Sequence, residues 1–187
     1  DNIKARQAMY HLINQEDFLR AIVGNPEFYR VCHGLLTCGG PYENTGGSAF
    51  LKDYNPKKAL QLMKEAGYKG EPVRLQGLPF GETWTRMAEM VKQQLTLAGF
   101  NIQLNSNDMA TTMARQANWD FDLAFTFLYQ SGDPALGVAR NYIGSEIRKG
   151  SPFNNVGGYQ NVKVDALFER GSRQIKPADR ADTYAEV

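Results

Sequence analysis

From Asn55 to Leu128 the apolar residues switch repeatedly between helical and extended spacing, and few folds accommodate that order. Asn55 stands where a helix cap is needed, Pro56 suits a first helical position, Ala59, Leu60, Met63 and Ala66 share a face, and Gly67 provides a stop. Val73, Leu75 and Gly77 then alternate as a short strand before Leu78-Pro79-Phe80-Gly81 breaks the pattern. The spacing predicts a helix over residues 82–98, with Trp84, Met87, Ala88, Val91, Leu95 and Ala98 on its buried side and Gly99 at its end. Phe100, Ile102 and Leu104 alternate as a second strand, Asp108 can cap a helix through Gln116, and Phe121 to Leu128 predicts a third strand.

Strand, helix, strand, helix, strand with short connections implies an α/β fold, a mostly parallel sheet with right-handed crossovers flanked by helices. The third strand is apolar on nearly every residue after Asp122, as expected when helices cover both faces. Ligands on such sheets sit beyond the carboxyl ends of the strands. That rule selects two loops, Leu78 to Glu82 and Tyr129 to Leu136, and the second carries the carboxylate of Asp133.

Outside this region, residues 3–13 read as one helix, with His11 on its surface, and Asn14 caps a second helix carrying Phe18, Leu19 and Ile22. Residues 25–54 are rich in Gly, Pro, Asn and Tyr without periodicity, and the stretch from Pro134 to Tyr159 is also irregular. Val162, Asp165, Ala166, Leu167 and Phe168 begin a helix reaching at least Gly171. The chain opens directly into a helical pattern and Ala181–Val187 stops inside another, so the expectation is a piece of a longer protein.

A chain of 187 residues, 42% apolar and 22% charged, can bury a sizeable core. Its net charge of +1 gives no basic footprint for nucleic acid. No apolar run approaches the roughly 20 residues that span a bilayer. Cys32 and Cys38 are spaced to close a small disulfide loop in an oxidising compartment, or to be two buried thiols. His33 alone supplies too few ligands for a metal, and nothing nearby orients it as a base for Cys32. There is no Ser/His/Asp set, phosphate-binding glycine loop or catalytic carboxylate pair, so neither an enzyme nor a cofactor is expected.

Several segments in order are similar to one family. Lys4-Ala5-Arg6-Gln7-Ala8 with Ile13 and Asp17, then Asp53-Tyr54-Asn55-Pro56-Lys57-Lys58-Ala59 through Glu65-Ala66-Gly67-Tyr68, resemble the later portion of the family 5 extracellular solute-binding proteins. The likeness continues through Leu95-Thr96-Leu97-Ala98-Gly99-Phe100-Asn101-Ile102, Trp119-Asp120, Gly132-Asp133-Pro134 and Gly158-Tyr159-Gln160-Asn161 with Val164-Asp165. These are dipeptide, oligopeptide and nickel receptors of ABC importers. The resemblance implies a periplasmic-binding-protein type II fold, in which two lobes close on a small solute and the closed form meets an inner-membrane permease. Residues 1–187 would be most of the C-terminal lobe, with the N-terminal lobe and last segment absent, and the protein would be periplasmic or otherwise extracytoplasmic.

In peptide-binding members an Asp near this loop can hold the ligand's ammonium group, and the nearest matching position is Asp133. The tryptophan often found in that loop is replaced by Leu128-Tyr129-Gln130. Asp133 can equally cap a turn before Pro134. Tyr129, Gln130 and Ser131 are further ligand-binding candidates, Tyr129 by stacking or hydrogen bonding. Arg140 can grip a carboxylate in two-pronged fashion or form an ordinary ion pair. Trp84, with Phe80 ahead of it, stands at a helix start but has the spacing of core packing. Asn154, Asn155 and Tyr159 can bond a ligand or build a turn with Gly157-Gly158. The alternatives to a transport receptor are a ligand-free sensor module on the same fold, or a thiol-dependent enzyme using Cys32.

Overall fold

A computed structural model describes residues 2–36, 38–46, 52–127 and 132–187. The chain divides into two compact units: residues 1–31, 48–112 and 121–125 form the first, and residues 32–47, 113–120 and 126–187 the second.

The first unit starts with α1 (Ile3–Tyr10) and α2 (Gln15–Ile22), whose N-cap residues Asn2 and Asn14 accept backbone N–H groups of the first turn. Next comes α3 (Pro56–Glu65), where Asn55 Oδ1 accepts Lys58 N–H and Pro56 occupies the first turn. Its inner face buries Ala59 and Met63, while Leu60, expected on that face, is 44% exposed. β1 (Pro72–Gln76), α4 (Glu82–Leu97), β2 (Asn101–Asn105), α5 (Met109–Ala117, of which residues from Met113 onward are assigned to the second unit) and β3 (Leu123–Ala124) follow along the chain in the anticipated alternation. Among the described residues the sheet has the order β2-β1-β3 and is parallel throughout, with Leu75 of β1 opposite both Leu104 and Leu123. Ala8, Leu12, Ala59, Met63, Leu75, Leu95, Phe100 and Ile102 form its core.

Of the strand expected from Phe121 to Leu128, only Leu123 and Ala124 are in strand among the described residues, and Leu128 lies outside them. Leu123 and Ala124 pair with Leu75 and Gln76, the last residues of β1, and one further bond runs from Phe125 N–H to Gln76 O (3.0 Å). Beyond that point β1 has ended and Gly77 N–H turns to Asn105 O (3.1 Å), so the ladder has no partner left. Leu123, Ala124 and Phe125 are only half-buried, because β3 lies outermost in the described sheet and is not covered on both faces. Its entry is clamped by Asp122. The Asp122 carboxylate accepts the Arg74 N–H (2.8 Å) and, in two-pronged fashion, the Arg74 guanidinium (3.0 and 3.3 Å). The side-chain bonds from Arg74 hold this carboxyl below its usual range, against a smaller opposing effect of burial.

His11 is fully buried, not on the helix surface. α1 stops at Tyr10, so His11 is its C-cap; its carbonyl accepts Asn55 N–H (2.9 Å) and its Nδ1 lies 2.7 Å from the Asp53 carbonyl. The histidine thereby joins the end of α1 to the approach to α3.

The second unit is built around α6 (Val162–Arg173), capped by Asn161, and α7 (Pro177–Ala185), which pack on each other. Its core comprises Leu36, Val138, Val164, Phe168 and Tyr184. Gly171 is required at the α6–α7 contact, since a Cβ there would meet Tyr184 Cε1 at 2.5 Å. Asn155 organises the irregular stretch before α6: buried, it donates to Ile143 O (3.1 Å) and Tyr159 O (2.6 Å) and accepts Tyr159 N–H (3.0 Å). Its amide therefore works as a turn-builder, and Asn154 donates to Glu146 (2.6 Å). Cys32 and Cys38 form a disulfide.

Candidate functional site

The carboxyl ends of β1 and β2 meet in the first unit at a buried amide. Gln76 closes β1 and is fully buried; its Nε2 is shared among Gly77 O (3.1 Å), Thr112 Oγ1 (3.2 Å) and Asn105 O (3.3 Å). Those acceptors fix the orientation of the Gln76 amide, leaving Oε1 to accept from Asn107 Nδ2 (3.3 Å). A cavity of ≈ 70 Å³ opens here, lined by residues including Leu78, Pro79, Thr85, Ser106 and Asn107. Beside it, Trp84 takes Phe80 edge-on (6.5 Å between ring centroids, 85°) and Phe125 edge-on (6.5 Å, 88°). Phe80 is 63% exposed, so the ring set presents a surface as well as a packing contact. Gly81, at φ +91°, makes the sharp entry into α4 that no side chain caps.

Asp133 belongs to the second unit and does two things. Its Oδ1 accepts Ala135 N–H (2.9 Å), capping the 3-10 turn Pro134–Leu136. Its Oδ2 is paired with the Arg180 guanidinium and accepts the Tyr42 hydroxyl (3.3 Å). Both members of the ion pair are mostly buried, with side chains 16% and 20% exposed. Arg180 also donates to Gln174 O (3.0 Å) and lies over the Tyr184 ring, which meets Tyr42 edge-on at 5.3 Å. Burial first, and the Asp133 charge second, raise the Tyr184 hydroxyl above its ordinary value. A cavity of ≈ 230 Å³ runs between Cys38–Tyr42 and Gly132–Pro134, so the segment that leaves the disulfide at Cys38 forms one wall and the Asp133 loop the other.

Of the expected contact residues, Tyr129, Gln130 and Ser131 lie outside the described residues. Arg140 is exposed on the turn Ala139–Asn141 and has no ion-pair partner among the described residues. Arg180, Tyr42 and Tyr184 were not legible as partners of Asp133, because separations of 47 and 91 residues leave no local pattern. Gln76 was passed over because alternation put it on a polar face, whereas both faces of β1 are covered at its end. Both sulfurs of the cysteines are engaged in the disulfide, which leaves Cys32 no thiolate for nucleophilic chemistry.

The comparisons with known proteins agree with this architecture. The family model described as bacterial extracellular solute-binding proteins, family 5 Middle, matches residues 1–147. The chain is 34% identical over 122 residues to a probable peptide ABC transporter periplasmic-binding protein, y4tO, of Sinorhizobium fredii, covering 64% of this chain and 23% of that protein. In fold it is similar to the ABC transporter substrate-binding protein CtaP of Listeria monocytogenes, with a TM-score of 0.83, 21% identity, and coverage of 98% of this chain and 36% of that one. It is also similar to NikZ of Campylobacter jejuni, solved in complex with Ni(L-His), with a TM-score of 0.77, 15% identity, and coverage of 99% and 38%. The chain thus spans about a quarter of that curated relative and little over a third of these structures.

Proposed function

Because the chain belongs to family 5 of the bacterial extracellular solute-binding proteins, we propose that it is most of the C-terminal lobe of a two-lobed periplasmic receptor serving an ABC importer. The complete protein binds a small solute, an oligopeptide or peptide-like compound, in the cleft between this lobe and an N-terminal lobe, and delivers it to an inner-membrane permease. Proteins of this family are carriers of solutes, not enzymes. The peptide class is supported by one observation, the 34% identity to a relative named as a peptide-binding component.

Within that reading Tyr129, Gln130, Ser131, Asp133 and Arg140 contact the solute. Asp133 enters the site with its charge already answered by Arg180, which suits a hydrogen-bond acceptor better than a sole counter-ion for an ammonium. A ligand cation there has to share the carboxylate with a guanidinium, and the two like charges repel. Arg140, exposed and without an ion-pair partner among the described residues, offers its guanidinium to a peptide carboxylate. Calorimetric titration of the complete protein with a mixed oligopeptide library tests the proposal. Heat and thermal stabilisation that Arg140→Ala weakens are expected; no response to any peptide would remove the peptide class.

A further inference from the structure

The strand rim of the first unit is made of rings and amides. Gln76, Phe80, Trp84, Asn107 and Phe125 are all neutral at neutral pH; of the ions on the adjoining turns, Glu82 and Arg86 answer each other on α4 (2.5 Å), and the Asp108 carboxylate accepts the Thr111 N–H (2.9 Å) and hydroxyl (2.8 Å) at the start of α5. A charged ligand group brought here would lose water and meet only ions that are already engaged, which is costly. A neutral ring meets the opposite situation: Phe80 is largely exposed and meets Trp84 edge-on, Trp84 in turn meets Phe125 edge-on, and a fourth ring laid on Phe80 extends the same packing.

The polar part of the rim is equally directional. Three acceptors around Gln76 Nε2 force its Oε1 toward Asn107, and that contact in turn commits Asn107 Nδ2. Asn107 therefore has its carbonyl oxygen left over, and Oδ1 accepts no bond among the described residues while Asn107 lines the small cavity. A carbonyl oxygen accepts only, so its complement is a ligand N–H or O–H. Replacing the fully buried Gln76 would release this orientation, which makes Gln76 a positioning residue for Asn107.

We propose that this rim is an aromatic specificity subsite, receiving an uncharged ring of the solute against Phe80 and Trp84 while an N–H next to that ring donates to Asn107 Oδ1. The inference rests on the reading of the chain as a solute-receptor lobe and narrows the solute to compounds joining a neutral aromatic group to an amide-like donor, such as a peptide with an aromatic side chain. The cavity, at ≈ 70 Å³, accepts a small substituent or a water and is too small to enclose the ring itself, so the ring lies on the surface made by Phe80.

The test is calorimetry on the complete protein with three tripeptides: alanyl-phenylalanyl-alanine, trialanine and alanyl-lysyl-alanine. The phenylalanyl peptide should bind about ten-fold more tightly than the other two, the size expected of one aromatic contact. Phe80→Ala, which removes an exposed ring, should abolish that preference, bringing the three peptides to within about two-fold of one another. Equal affinity for all three peptides, or a preference that survives Phe80→Ala, overturns the subsite while leaving the peptide-receptor reading in place. If no tripeptide binds, the peptide reading has failed and benzamide, a neutral ring bearing an N–H, decides the subsite. Benzamide binding that Phe80→Ala weakens about ten-fold upholds it, and absence of benzamide binding sinks it.

Discussion

Gly171 shows how much one atom matters at the residue scale. A methyl group there would sit 2.5 Å from the Tyr184 ring, which is itself fixed by Phe168, Tyr42 and Arg180 and has nowhere to retreat. Gly171→Ala should therefore destabilise the protein by about 2 kcal/mol in urea unfolding, although alanine ordinarily strengthens a helix. A gain in stability would show that α6 and α7 separate freely. Arg180→Ala should cost about 3 kcal/mol, since it strands the mostly buried Asp133 carboxylate. Adding Asp133→Ala should recover part of that loss, and a double-mutant cycle with no coupling would dismiss the pair as energetically idle. Single residues were legible in the sequence only where chemistry is local. Asp133 as a turn cap before Pro134 could be read directly, while its arginine and tyrosine partners arrive from distant segments and leave no periodic trace.

At the scale of elements, caps and stops were the most informative signals. Asn14, Asn55 and Asp108 each hold the first turn they were expected to hold, because side-chain capping is decided within a few residues. The length of β3 was not legible, because a strand ends where its neighbour ends, and the end of β1 lies some 48 residues away. Asp122 makes that junction sensitive to acid. Its folded pKa lies below the unfolded value, so the folded state binds fewer protons. The Arg74 pair thus contributes fully above the unfolded carboxylate range, near about pH 4, and its contribution is lost as pH falls through the lower folded value. Stability measured against pH should show this acid-limb component in the native protein and lack it in Asp122→Asn; superimposable profiles would refute it. The disulfide acts on a different element, the segment from Cys32 to Cys38 whose continuation walls the Asp133 cavity. Replacing both cysteines with serine should lower stability by about 2 kcal/mol through release of a short loop in the unfolded chain, measured by thermal unfolding without reductant.

For the whole molecule, the alternating elements were enough to specify an α/β fold with a parallel sheet, and the ordered motifs were enough to specify the family. What the sequence did not show is the division into two compact units, each with its own core, because the second unit gathers segments scattered from Cys32 to Val187. If the complete protein is a solute receptor, a peptide present at about 100 times its Kd should stabilise it by roughly 3 kcal/mol, seen as a raised Tm. The brief pairing of β3 also has a meaning in time. β1 finds β2 across 29 residues, with α4 between them and a full five-residue register, while β3 must close a longer loop for two paired residues and the Arg74–Asp122 clamp. Assembly of the first unit should accordingly finish at β3 and its loosening begin there, so that in hydrogen exchange the Phe125 amide turns over to deuterium well before those of Val73 and Leu75.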